Sequence, residues 1–278
     1  MSGDNSKKIA FNYFGAKFSW LENLYENFPV GFTHLVELFG GSMAVSINYT
    51  GNVIKTVNEI NADITNFFEV LRDHEAELTR LLLLTPCSEL EYNNAWICSP
   101  DKIEQARRFY VRVRQSFFGL GAQRKNKGWH LAKQNINSRG GETVSRWNNA
   151  IEKLHEVAEV IRSNFQIING SYEACIDRLD CSSVFFYADP PYPAECCSSK
   201  NDYKFEFSDE DHRQLAAKLH AIKGHAMVSG YDCALMNDLY GDWRKTTFPS
   251  KQNSIRSGKI VQEVIWTNYA PGRQQRLF

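Results

Sequence analysis

The stretch Val184–Pro193, VFFYADPPYP, restricts the fold more than any other part of this chain. Five apolar or aromatic residues run straight into Asp189 and then into two prolines. Such a run reads as a buried strand, and prolines cannot continue it, because each fixes φ and removes an amide donor. The residue before a proline is also driven out of the helical region. Asp189 and Pro190 are therefore both held extended at the carboxyl end of a strand, where open α/β sheets bind ligands. Pro190 and Pro191 offer two carbonyl acceptors with no competing N–H. That arrangement suits a group with two hydrogens to donate, such as an exocyclic amine, and Tyr192 adds a flat face for a base to stack on. A strand terminator with a chance acid is the plainer reading.

Other strands are expected at His34–Phe39, Val53–Val57, Phe165–Ile168, His225–Ser229 and Val264–Asn268, short segments often β-branched or aromatic. Helical faces lie between them. Ile64, Phe67, Phe68 and Leu71 form one; Trp147, Ile151, Leu154, Val157 or Ala158, and Ile161 form another. A third starts at Ser208, with Asp211 in a near capping box, and buries Leu215 and Leu219. Strands alternating with helices predict an α/β sheet covered on both faces. The four leucines Leu81–Leu84 are expected in the core.

The alternation fails from about residue 72 to 160. Eleven Lys or Arg lie between Asp101 and Arg146, against three acids, although the whole chain is formally neutral. Tyr110, Phe117, Phe118 and Trp129 are interleaved with them. Cations neutralise phosphates and aromatic rings stack on bases, so an inserted nucleic-acid-binding segment is one reading. A solvated helical face over an apolar core is the other. Within the segment Arg112, Arg114, Arg124, Lys125 and Lys127 are the candidate DNA contacts.

A nucleoside site is suggested near the first strand. HLVELFGGSMAV ends a strand on Glu37, Phe39, Gly40 and Gly41, and glycines at such a turn let a ligand approach the backbone. The turn is not GxGxxG and carries no phosphate clamp. Glu59, at the end of the second strand and about 20 residues on, matches the position of an acid that accepts ribose hydroxyls. A ribose carboxylate without a phosphate clamp suits S-adenosylmethionine. Capping of the following helix is the alternative for Glu59. Glu37 faces either the charged end of the cofactor or a structural partner.

These residues resemble the class of DNA N6-adenine methyltransferases that includes the Dam-like enzymes, in that family's order and over nearly the whole chain. YFGAK (Tyr13 to Lys17) resembles its N-terminal YxGxK element, VELFGGSMAV its cofactor loop, and VNEINADI its NDxNxxL element. ADPPY matches its catalytic motif; FSDEDHRQL and EVIWTNY resemble its later FxxxDHxxL and ExxxxNY segments. The resemblance implies a Rossmann-like S-adenosylmethionine-dependent methyltransferase sheet, residues 1–71 and 160–278, with an inserted, mainly helical target-recognition domain at 72–159. It implies Asp189, Pro190, Pro191 and Tyr192 as catalytic residues. Tyr13, Lys17, Glu37, Phe39, Gly40, Gly41, Ser42, Glu59 and Asp189 would hold the cofactor, and the implied activity is methylation of adenine N6 in duplex DNA. Ser229-Gly230-Tyr231 would help line the pocket. The family commonly has an acid near Ser171, which this chain lacks. Serine is typical before PPY in cytosine N4 enzymes and asparagine in glutamine enzymes, so Asp189 leans to adenine. Cytosine N4, RNA adenine or protein glutamine as the target, and a non-catalytic DNA-binding or cofactor-sensing module, are the alternatives.

Seven cysteines, an odd number without CxxC, fit free thiols in a reducing compartment. Cys196 and Cys197 are expected in a mobile loop. The polar start and the lack of a long apolar run predict a cytoplasmic protein without a membrane partner; the resemblance implies a bacterial or phage origin. No His or Cys spacing suggests a metal, so none is expected. His212, beside three acids at a helix start, is expected at the surface. A monomer and a dimer are both compatible with the sequence, as is work beside a restriction nuclease.

Overall fold

A computed structural model describes residues 7–13, 17–116, 128–131, 136–137, 140–193, 195, 207–249, 251–252 and 260–271. Seven main strands follow along the chain: β1 (His34–Glu37), β2 (Ile54–Asn58), β3 (Phe165–Ile168), β4 (Val184–Ala188), β5 (His225–Tyr231), β6 (Arg244–Thr247) and β7 (Glu263–Thr267). The chain divides into two compact units. One comprises Met1–Phe18, Gly40–Asn48 and Glu59–Asn169, the other Ser19–Phe39, Tyr49–Asn58 and Gly170–Phe278.

The second of these holds six strands in the order β2-β1-β4-β5-β7-β6. β2, β1, β4 and β5 run parallel, whereas β7 is antiparallel to both β5 and β6. Every residue of β4 and β7 is buried, as expected of strands covered on both faces. β6 was not expected from the sequence. Its residues, RKTT, are mostly exposed and give no apolar alternation, which is how an edge strand avoids pairing with other chains. Phe28, Phe32, Tyr49 and Phe185 pack ring to ring in this unit's core, with Phe28 and Phe185 centroids 4.7 Å apart. Helix Asp209–His220 begins with a full capping box: Asp211 donates its N–H to Ser208 Oγ at 3.2 Å, and Asp211 Oδ2 accepts the Ser208 N–H at 2.7 Å.

The other unit is mainly helical and includes β3. Helix Ala62–Asp73 is capped by Asn61, which accepts from the Asp63 N–H. Its apolar face, Ile64, Phe67, Phe68 and Leu71, is fully buried. Phe67 packs at 5.5 Å from Phe11 and stacks on Tyr110 of helix Lys102–Gln115, with centroids 5.4 Å apart and planes 6° from parallel. Each such ring contributes about 1.5–3 kcal/mol by leaving water. Residues 72–159, expected as an inserted domain, fall wholly within this unit, together with pieces expected of the catalytic domain. The face expected as one helix, Trp147 to Ile161, is two helices, Glu142–Glu152 and Leu154–Asn164. Lys153 separates them while keeping helical dihedrals (φ −84°, ψ −7°), so the apolar period runs through the break unchanged. Of the four leucines, Leu82 is buried but Leu83 and Leu84 are exposed, because the apolar run outlasts the buried face of helix Glu75–Leu84.

Candidate active site

In the second unit the chain leaves β1 for β2 on one side and later returns with β4 on the other. The carboxyl ends of β1 and β4 thus lie at a reversal of strand order, where α/β sheets form their binding crevice. Glu37 ends β1, is buried, and pairs in register with Tyr187; the next N–H, of Leu38, donates to the Tyr187 carbonyl at 2.9 Å. Asp189 follows the last residue of β4 and is half-buried, as is Pro191, while Pro190 is buried.

Two hydroxyls fix the motif. Ser229 Oγ lies 2.7 Å from Asp189 Oδ1 and 3.0 Å from the Tyr187 hydroxyl. A serine has one hydrogen to give, and the carboxylate can only accept, so Ser229 donates to Asp189 and Tyr187 donates to Ser229. The Tyr192 hydroxyl donates to Glu263 Oε1 at 2.6 Å, and both residues are buried. The Tyr192 ring also meets Tyr231 edge-on at 4.4 Å. Burial, followed by the charge of Asp189, pushes the Tyr187 and Tyr192 phenols well above the ordinary tyrosine range, so both stay protonated donors. Glu263 and Tyr187 were not singled out in the sequence, although EVIWTNY carries the acid. Their partners are set by strand register, which pairs Glu263 with Tyr231 and Ala188, the residue after Tyr187, with Val228, the residue before Ser229.

Behind the motif, Phe39 packs on Tyr172 and edge-on to Phe207, and Phe207 meets the ring of His212 at 4.7 Å. The expectation for His212 is corrected: it is 1% exposed. The acids beside it point outward from the first helical turn while its own position faces the core. No well-formed hydrogen bond reaches either ring nitrogen. Burial lowers its pKa to about 4, against the opposing pull of Asp209, the Pro191 main chain and Asp211.

In the first unit the glycine turn is built tightly. Gly41 has φ +50° and Met43 φ +55°, and the Met43 N–H closes on the Gly40 carbonyl at 2.6 Å. A Cβ at Gly41 would lie 2.9 Å from the Tyr13 ring, so glycine lets that ring pack against the turn. Glu59 is buried and grips this turn. Its Oε2 accepts the Gly41 N–H and its Oε1 the Asn61 N–H, both at 2.7 Å. Asn61 itself, not Glu59, caps the following helix. Asn169 donates to the Glu59 carbonyl at 2.7 Å, and the Glu59 N–H to Ile168 of β3. The two amides orient the Glu59 carboxylate. Ser42 and Lys17 are buried; Lys17 is 4% exposed, unlike an ordinary surface lysine. Ser171, where the family's acid is missing, lies in the second unit and caps helix Tyr172–Leu179 by accepting the Ala174 N–H.

The basic segment divides. Arg112 is 8% exposed, donates to Asp63 Oδ2 at 3.0 Å and lies 5.4 Å from the Trp96 ring centre. The helix turns it toward Asp63, to which it is tied. Tyr110 is likewise core, its hydroxyl on the Ala10 carbonyl. Arg114 is half-buried and donates to the Arg146 carbonyl at 3.3 Å. Arg124, Lys125 and Lys127 lie outside the described residues, as do Phe117, Phe118, Cys196 and Cys197. Among the described residues no group of three His, Cys, Asp or Glu is placed to hold a metal ion.

Three solved structures are similar over most of their length. They are a conserved hypothetical protein of Streptococcus pyogenes (11% identity, 94% of this chain and 98% of that one, TM-score 0.34), a candidate methylase from Haemophilus influenzae (11%, 93% and 91%, 0.34) and a candidate methyltransferase from Escherichia coli (8%, 92% and 83%, 0.33). The sequence itself is decisive: residues 13–255 match the family described as D12 class N6 adenine-specific DNA methyltransferase. That span includes the glycine turn, Glu59 and the whole Asp189–Tyr192 motif, and the chain therefore belongs to the D12 class of N6 adenine-specific DNA methyltransferases.

Proposed function

We propose that the protein transfers a methyl group from S-adenosylmethionine to the N6 amine of an adenine flipped out of duplex DNA. The observation that supports this most is Asp189 at the end of β4, its carboxylate oriented by Ser229 and followed by two prolines. The glycine turn and Glu59 suit a nucleoside: the carboxylate takes ribose hydroxyls while Gly41 allows close approach. Tyr13, Lys17, Ser42, Glu37 and Phe39 are assigned to the same cofactor. When bound, S-adenosylmethionine supplies an electrophilic methyl group on a sulfonium.

The adenine amine is a poor nucleophile, because its lone pair is delocalised into the ring. Extruding the base costs a few kcal/mol. Asp189 and the Pro190 carbonyl then accept its two hydrogens, which favours a tetrahedral nitrogen with its lone pair directed at the methyl carbon. The nitrogen would accept the methyl group that the bound cofactor supplies and would release one of its two hydrogens as a proton to solvent. Oriented oxygens stabilise the positive charge that grows on nitrogen, and alignment of the reacting atoms is worth roughly 7–11 kcal/mol. Tyr192 bounds the base pocket with a ring fixed by Glu263. Arg114 and the basic residues 124, 125 and 127 are assigned to DNA, with residues 72–159 as the recognition segment. Under this reading the enzyme works in the cytoplasm of a bacterium or phage host, with or without a partner nuclease. No helix among the described residues is long and apolar enough to cross a membrane.

The test is transfer of labelled methyl from S-adenosylmethionine to duplex DNA, RNA or protein. Label is expected in adenine of duplex DNA, and lost in Asp189→Ala while cofactor binding persists. Label in protein or in cytosine, or unchanged turnover in that variant, would overturn the assignment.

A further inference from the structure

Asp189 is fixed by residues that lie outside its motif. The register Ala188↔Val228 brings the residue after β4 beside Ser229, the fifth residue of β5. Ser229 is fully buried and its hydroxyl points at Asp189 Oδ1 at 2.7 Å; the Ala188 carbonyl, at 3.4 Å, is the more distant acceptor. Tyr187, two residues before Asp189 and on the same strand, is also buried and donates to Ser229 Oγ. The serine has one hydrogen and Asp189 takes it, so the Tyr187 phenol is left as the donor of the second bond. The two hydroxyls therefore form a directed pair, Tyr187 to Ser229 to Asp189, that ends on one oxygen of the carboxylate.

We infer that Ser229 is a positioning residue for methyl transfer: backed by Tyr187, it sets the rotation of the Asp189 carboxylate toward the amine. The inference rests on the adenine-methylation reading above. A carboxylate free to rotate about its χ2 torsion, which is broad for aspartate, would meet the amine in many orientations. The hydroxyl pair removes that freedom before the base arrives, and positioning of this kind acts on the reaction step and not on cofactor affinity. The bond is between a neutral donor and a charged acceptor, so it orients the carboxylate without cancelling its charge.

The experiment compares wild type, Ser229→Ala, Ser229→Thr and Tyr187→Phe on a DNA duplex carrying the methylated site, with melting temperature and S-adenosylmethionine dissociation constant measured alongside. For Ser229→Ala, kcat is expected to fall by about 10–100-fold with KM for DNA and cofactor affinity within about twofold of wild type. Ser229→Thr keeps the donor and is expected to recover most of the rate. Tyr187→Phe is expected to lose about 3–10-fold in kcat. A Ser229→Ala enzyme that folds and turns over within twofold of wild type overturns the inference, as does a loss seen only in KM. Should Ser229→Ala fail to fold, Tyr187→Phe decides: a wild-type kcat overturns the inference and a reduced one at unchanged cofactor affinity supports it. A wild-type enzyme that methylates no adenine would instead sink the underlying reading, and the inference with it.

Discussion

Helix Lys102–Gln115 and the segment after β4 both hold partly or fully buried polar side chains in pairs, but the pairs differ in kind. In the helix, cations meet carboxylates. Arg107 donates to Glu104 and Glu91, Arg108 to Glu104, and Arg112 to Asp63. The bonds from Arg107 hold Glu104 below the usual carboxylate range. After β4, neutral hydroxyls meet carboxylates: Ser229 on Asp189 and Tyr192 on Glu263. Ion pairing cancels charge and ties helices together. Hydroxyl donation fixes a direction and leaves the charge in place. Under the proposed reading, that is the charge that meets the amine.

The contrast breaks most readily at its ends, Asp189 and Arg112. Asp189→Asn keeps the shape but turns one acceptor oxygen into a donor. It is expected to lower kcat by at least about 10²–10³-fold, the usual cost of losing one group that stabilises charge in the transition state. Cofactor affinity and melting temperature should stay near wild type. Single-turnover kinetics with labelled cofactor, beside calorimetric titration, would check this. A variant that loses cofactor binding in parallel would mean that Asp189 orders the site and does not act on the amine.

The Asp189 end was legible because proline acts locally: two prolines after five apolar residues fix a strand end whatever the rest of the chain does. The glycine turn and Glu59 were legible as a spacing, and Gly41 does take the positive φ that the turn requires. What holds the motif was not legible. Glu263 is 71 residues from Tyr192 and Ser229 is 40 from Asp189, and only the antiparallel insertion of β7 and the register of β5 bring them together. The same distance hides the partners of charge. A count of arginines between 101 and 146 cannot see that Arg112 has Asp63 as partner, 49 residues earlier. His212 failed for a related reason, since its acidic neighbours describe the solvent side of a helix whose other side it occupies.

His212 sharpens the comparison from the side of the strand end, because it is a buried base with no carboxylate bonded to its ring. Its folded pKa, about 4, lies below the ordinary 6.5. The unfolded chain therefore binds a proton that the folded protein refuses, and stability rises with pH across that window. Between pH 6.5 and about 4 the protein is expected to lose up to roughly 3 kcal/mol from this group, with little further change from it at lower pH. Denaturant titrations at several pH values would show the slope, and His212→Phe should remove it. A slope that survives His212→Phe would assign the acid sensitivity to other groups.

On the helix side, Arg112→Ala leaves Asp63 without its guanidinium in a largely buried place. The expected cost is roughly 1–3 kcal/mol of stability, below the full value for a buried pair because Asp63 keeps some contact with water. Gln105 also donates to Asp63, which limits the loss further. The salt dependence of DNA binding should be unchanged, because a cation held inside the fold releases no counterions when DNA arrives. A shallower salt slope in this variant would return Arg112 to the DNA contacts.

Arg114 supplies the smallest and most selective test. It shares the helix and the charge of Arg112, but its bond is to the Arg146 carbonyl, so its charge is not cancelled by that partner. Arg114→Ala should change stability by no more than about 0.5 kcal/mol. If it meets a phosphate, log affinity plotted against log salt should flatten by about 0.9. The two arginines would then differ in opposite measurements, one in stability and one in salt slope, although the sequence presents them two residues apart as equivalents. A flat response of Arg114→Ala in both would place the DNA-facing charge elsewhere in the segment, leaving helix Lys102–Gln115 as scaffold along its whole length.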